Sequence, residues 1–109
     1  MPIYMIQGSY GTEGLAVIVK NPQNRIQAVK PAIEKIGGKL INAYFSFGDY
    51  DFVLLVEMPD NISAVGISMA FGAGGAIKSI KTTPLLSAEE TMEAMKKASQ
   101  AGYKSATNK

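Results

Sequence analysis

The sequence predicts an α+β fold of the ferredoxin-like βαββαβ type: a four-stranded antiparallel sheet with helices on one face and an extra C-terminal helix. Strand-like and helix-like periodicities alternate in the order strand, helix, strand, strand, helix, strand. Right-handed crossovers then bring both helices to the same face of the sheet. The length of 109 residues suits one compact domain. Residues 1–86 are expected to form its body, and residues 87–109 a C-terminal helix with a basic tail.

Pro2 to Tyr10 reads as the first strand, with Tyr4, Ile6 and Gly8 on one side and Ile3, Met5 and Gln7 on the other. Leu15 to Val19 is short and apolar, with helix favoured over strand because Thr12 can cap it. Asn21-Pro22 signals the next helix start, and Ile26, Val29, Ile33 and Ile36 share one face. Pro31 within it predicts a kink, and Gly37-Gly38 its end. Lys39 to Phe47 alternates as a second strand, with Ile41, Ala43, Phe45 and Phe47 as its apolar face. Gly48-Asp49 turns the chain into a third strand over Tyr50–Met58. Pro59-Asp60-Asn61 opens a helix whose buried face is read as Ile62, Val65 and Met69, with Gly72 to Gly75 stopping it. Ala76 to Thr83 reads as the fourth strand, bounded by Pro84. Ser87-Ala88-Glu89-Glu90 is a capping box for a last helix reaching about Gln100.

The third strand has no polar face. Phe52, Leu54, Val56 and Met58 line one side; Val53 and Leu55 line the other. Covering one more Val or Leu is worth about 1.5–3 kcal/mol, so the helix-free face is expected to find a cover. A second copy packed sheet to sheet is the preferred cover, giving a homodimer. The C-terminal helix folding back through Met92 and Met95 is the alternative.

Composition excludes much chemistry. With neither cysteine nor histidine, thiolate nucleophiles, Ser-His-Asp triads and His- or Cys-ligated metals are unavailable. No cofactor is expected. The net charge of +2 goes with lysine and arginine scattered through the chain in no dense run, which argues against nucleic-acid binding. No apolar run is long enough to span a membrane, and Met1-Pro2-Ile3-Tyr4 lacks a basic leader; a soluble cytoplasmic protein is expected.

The polar turn Phe47-Gly48-Asp49-Tyr50-Asp51-Phe52 is the first place to seek a site. Asp49, Tyr50 and Asp51 can bind a ligand or serve as base and donor, with Tyr44, Tyr50 and Asp51 as the catalytic candidates. The structural alternative has Asp51 bonding backbone amides in the turn. Asp49, Asp51 and Glu57 are weak candidates for a hard cation. Tyr4, Tyr10 and Tyr44, placed between sheet and helices, can orient an aromatic ligand; the structural alternative makes them core residues. Lys78 and Lys81 fall on opposite faces of the fourth strand. An inward Lys81 can hold an anion, although lysines that block edge pairing are the simpler reading.

The signature Gly48-Asp49-Tyr50-Asp51 resembles that of the GYD-domain family. Thr12-Glu13-Gly14, Gly37-Gly38-Lys39 and Pro59-Asp60 resemble it in order and spacing, up to about Leu86. The resemblance implies a dimeric α/β barrel of ferredoxin-like protomers. That group includes cofactor-free monooxygenases, muconolactone isomerases, haem-binding peroxidases and amino-acid-sensing domains. Two departures stand out: Thr83-Pro84-Leu85-Leu86 lacks the arginine that similar proteins often carry there, and the segment after Ser87 is longer. The functional expectation is a homodimeric small-molecule-binding domain, sensory or accessory, for a small apolar or aromatic ligand. The alternatives are a cofactor-independent monooxygenase or isomerase on a small aromatic or lactone, and a structural protein whose dimers assemble further.

Overall fold

Eight elements follow one another: β1 (Ile3–Tyr10), α1 (Thr12–Lys20), α2 (Ile26–Lys35), β2 (Lys39–Phe45), β3 (Phe52–Glu57), α3 (Asn61–Ala73), β4 (Ile77–Leu85) and α4 (Ala88–Gln100). The structure, a computed structural model, describes residues 1–107; Asn108 and Lys109, the end of the expected basic tail, lie outside them. The sheet has the order β2-β3-β1-β4 with every pair antiparallel, the ferredoxin-like arrangement.

Alternation along β1 and β3 sets the core. Tyr4, Ile6, Phe52, Leu54, Val56 and Met58 face the helices and are buried, packed with Ile33 of α2 and with Ala64 and Ile67 of α3. In β2 the single alternation read from sequence fails at Ile41. A bulge there, between Leu40 and Asn42, lets Leu40 oppose Val56 and Ala43 oppose Leu54, so both point to the core, and Ile41 is left outside.

Several boundaries move. Gly11, not Thr12, is the N-cap of α1, with no side-chain cap. Gly14 makes that helix possible: a Cβ there would stand 2.4 Å from the Ala76 carbonyl oxygen, so only glycine lets α1 lie on the start of β4. Asn21 closes α1 by donating its N–H to the Val17 carbonyl, so it does not open α2. The N-cap of α2 is Arg25, and Asn24 closes the turn before it, its Oδ1 accepting from the Ile26 N–H at 3.1 Å. The third strand is shorter than read, beginning at Phe52. The fourth strand runs through Pro84, which an edge strand tolerates because one side needs no donor.

The largest difference is on α3. Ile62, Val65 and Met69 are exposed, at 83, 54 and 68%, and Ala64 and Ile67 are buried instead. The helix carries no charged residue, so periodicity offered two apolar stripes. Close packing on the sheet takes the stripe with the small Ala64, next to which Ser68 hydrogen-bonds Thr82 of β4. Asp60 caps the helix, accepting from the Ser63 N–H at 2.8 Å.

The C-terminal helix does not roof the open face of the sheet. None of its residues is buried, and Met92 and Met95 are exposed. The radius of gyration is 17.7 Å, against about 13 Å for a compact chain of this length. With no buried residue of its own, α4 depends on its ends. Ser87 Oγ accepts from the Glu90 N–H, and Glu90 Oε1 accepts from the Ser87 N–H at 3.0 Å. The Ser87 N–H, and after it the Ser87 hydroxyl, hold the Glu90 carboxyl below its ordinary range. A depressed folded-state pKa stabilises above the unfolded value and is lost as pH falls through the folded one. Acidification below the usual carboxylate range should therefore fray α4 before the sheet, seen as amide exchange rising at Ser87 and Glu90 while β3 amides stay protected.

Candidate functional site

The β1–β3 ladder ends where Gly8 opposes Phe52, and Asp51 carries it one step further. Its N–H donates to the Gly8 carbonyl at 2.8 Å, and its carboxylate Oδ2 accepts from the Tyr10 N–H at 2.8 Å. The Asp51 carbonyl also accepts from the Ser46 N–H, and Ser46 Oγ donates to the Tyr50 carbonyl. The turn is thus closed by its own backbone. Gly8 matters for what lies beside it: a Cβ there would come within 2.3 Å of Phe52 Cζ. Its absence lets the Phe52 ring lie across β1 and meet the Tyr10 ring, at a centroid distance of 5.7 Å and a tilt of 54°.

Behind these two rings, between the sheet and helices α2 and α3, is a cavity of about 170 Å³. Phe45, Phe52, Leu54 and Phe71 supply aromatic and aliphatic walls, and Val29 lines it from α2. Its polar side chains are those of Tyr10 and Arg25. Burial pushes the Tyr10 phenol above its ordinary range; Arg25 draws it down, and Asp51 pushes it up again. The phenol is therefore neutral at physiological pH and available as a donor. Arg25 also borders a shallower cleft along α1, shared with Glu13 and Gln23, so its guanidinium stands where the two spaces meet. Gln23 Oε1 accepts from one guanidinium N–H at 3.0 Å.

The candidates read from sequence are not all brought together. Tyr10 and Asp51 meet, though through the Tyr10 backbone. Tyr4 is also under the helices, but its hydroxyl donates to Asn61 Oδ1, and it lies six residues along β1 from Tyr10, about 20 Å. Tyr44 opposes Val53 on the open face of the sheet and is 59% exposed, so it does not share the cavity. Tyr50 is half-buried and Asp49 exposed in the turn. Lys81 opposes Gln7 on the open face of edge strand β4. Glu57 is at the far end of β3 from Asp51, again about 20 Å away. Among the described residues, no group of three or more acidic side chains is placed to share a cation. Arg25 escaped the sequence reading. The signal was available, since it is the sole arginine in a chain whose other cationic side chains are lysines.

Among the described residues, no helix is long and apolar enough to cross a membrane. A family model described as the GYD domain matches residues 4–95, past Leu86 and into α4. The chain is similar to the glutamine synthetase and cystathionine beta-lyase binding protein of Thermus thermophilus. The two are 28% identical over 81 residues, 73% of this chain and 84% of the relative. In structure it is similar to TTHA0845, a Thermus thermophilus protein solved by crystallography. The TM-score is 0.53 and the identity 18%, covering 81% of this chain and 96% of the other.

Proposed function

The chain belongs to the GYD domain family, and from that premise we propose that it is a homodimeric accessory binding domain. Two copies pack open sheet face to open sheet face. Each keeps its cavity for a small apolar ligand and turns the outward stripe of α3 toward a protein partner.

The observation that carries this reading is apolar surface left uncovered by its own chain. On the sheet it comprises the exposed Ile3 and the half-buried Met5, Val53 and Leu55, which α4 does not cover. On α3 it comprises Ile62, Val65 and Met69. A helix apolar all round is ordinarily buried on all sides, and contiguous exposed patches of this kind mark contact sites. The relative's name, a protein that binds two metabolic enzymes, supports a protein partner for α3. Catalysis has less support. Tyr44 and Asp51 do not converge, and the Asp51 carboxylate already takes a backbone N–H.

The partner reading is tested with glutamine synthetase and cystathionine β-lyase from the same source as this chain, immobilised in turn. Saturable binding of the chain to at least one is expected. Val65→Glu with Met69→Glu should weaken it at least about a hundredfold, since two charges would enter a desolvated patch. Both substitutions lie on exposed helix positions and should leave the melting temperature nearly unchanged. No binding to either enzyme, or equal binding by the double variant, would contradict the role of α3.

A further inference from the structure

We infer that the cavity is a site for a small aromatic carboxylate, its ring held among Phe45, Phe52 and Phe71 and its carboxylate on the Arg25 guanidinium and the Tyr10 hydroxyl. This inference rests on the reading that the cavity takes an apolar ligand, and it adds the ligand's charge and shape.

Size sets the first limit. About 170 Å³ is close to the roughly 150 Å³ apolar cavity that accommodates benzene, so one six-membered ring fits. The walls set the second. Three phenylalanine rings and the tilted Tyr10–Phe52 pair offer edges and faces to a guest ring at the spacings aromatic pairs prefer.

Charge sets the third. Arg25 is the cationic side chain on this cavity and the sole arginine of the chain. A guanidinium has five N–H donors in a planar fork that matches a carboxylate. One is used on Gln23, which leaves enough for a bidentate grip. The neutral Tyr10 hydroxyl, half-buried at the same wall, adds a donor. Two acids are near. Asp51 is committed to the Tyr10 N–H, and Glu13 lines the outer cleft that Arg25 borders. The carboxylate is therefore read on the cavity side of Arg25, with Glu13 as a competing charge.

Phenylacetate and its neutral isostere phenylacetamide separate the parts of this inference. Titration into the protein is followed by calorimetry and by shifts of the Tyr10, Phe52 and Phe71 amides. Phenylacetate is expected to bind at least about tenfold more tightly than the amide. Arg25→Gln should bring the two to equal affinity, Tyr10→Phe should cost phenylacetate a smaller factor, and Glu13→Gln should strengthen it. Arg25 is on the helix rim, so the melting temperature of the ligand-free Arg25→Gln variant should match that of the parent. Equal binding of acid and amide by the parent protein would overturn the carboxylate assignment and leave the apolar cavity reading standing. Binding of neither, with no shifts at those amides at millimolar ligand, would overturn both.

Discussion

Leu55→Glu should turn a two-chain particle into a single chain without unfolding it. Leu55 is on a central strand, between Met5 of β1 and Asn42 of β2, on the face away from the helices. Its side chain contributes nothing to the helix-side core formed by Leu54 and Val56. In a two-fold pairing of sheets the substitution enters the interface twice. Each carboxylate would lose its water without an ion partner, a penalty of several kcal/mol per charge. Association should therefore weaken by three orders of magnitude or more, with light scattering giving one chain's mass, 11.6 kDa, across the micromolar range. Circular dichroism should keep its shape, because an exposed glutamate on the monomer's open face meets water. Lys81→Glu, at the edge of the same face, should have a much smaller effect, since a rim charge stays hydrated.

Leu54→Ala should produce the largest loss of stability. Leu54 is buried, with 1% of its surface exposed, between Ile6 of β1 and Ala43 of β2. It is also a wall of the cavity. Removing its three outer carbons costs about 2–5 kcal/mol, as transfer energy plus the void left behind. Small domains hold about 5–15 kcal/mol in total, so a fall in melting temperature of about 10 °C or more is expected. The new void opens into the existing cavity. An apolar compound larger than one ring should then stabilise the variant more than it stabilises the parent protein. Denaturant unfolding with and without such a compound measures both effects.

What the sequence discloses follows from which interactions are local. The capping box at Ser87 and Glu90 is complete within four residues and stands in the structure as read. The strand alternation of β1 and β3 and the glycines that end α2 are also local, and the element order follows from them, with the fold. The bulge at Ile41 is a matter of pairing, visible only once β2 meets β3. The buried face of α3 could not be chosen by periodicity because both of its stripes are apolar. The deciding factor was how closely Ala64 can approach the sheet.

The candidate site divides in the same way. The turn from Phe47 to Phe52 points to Asp51, and the structure sets its carboxylate on the Tyr10 N–H. Its task in the chain is to extend a strand ladder past its last backbone pair. The cavity needed Phe71 from α3, Arg25 from the start of α2 and Phe45 from β2. No spacing rule joins residues so far apart along the chain. Tyr44 shows the reverse case: an aromatic residue in a plausible strand position, placed on the opposite side of the sheet because the bulge fixes the register after it.

The central claim is that two copies shield each other's open sheet faces, and sedimentation velocity of the unaltered protein over a micromolar dilution series tests it most directly. The expected result is a particle of twice 11.6 kDa that dissociates only at the lowest concentrations. A single species of one chain's mass at every concentration would contradict it.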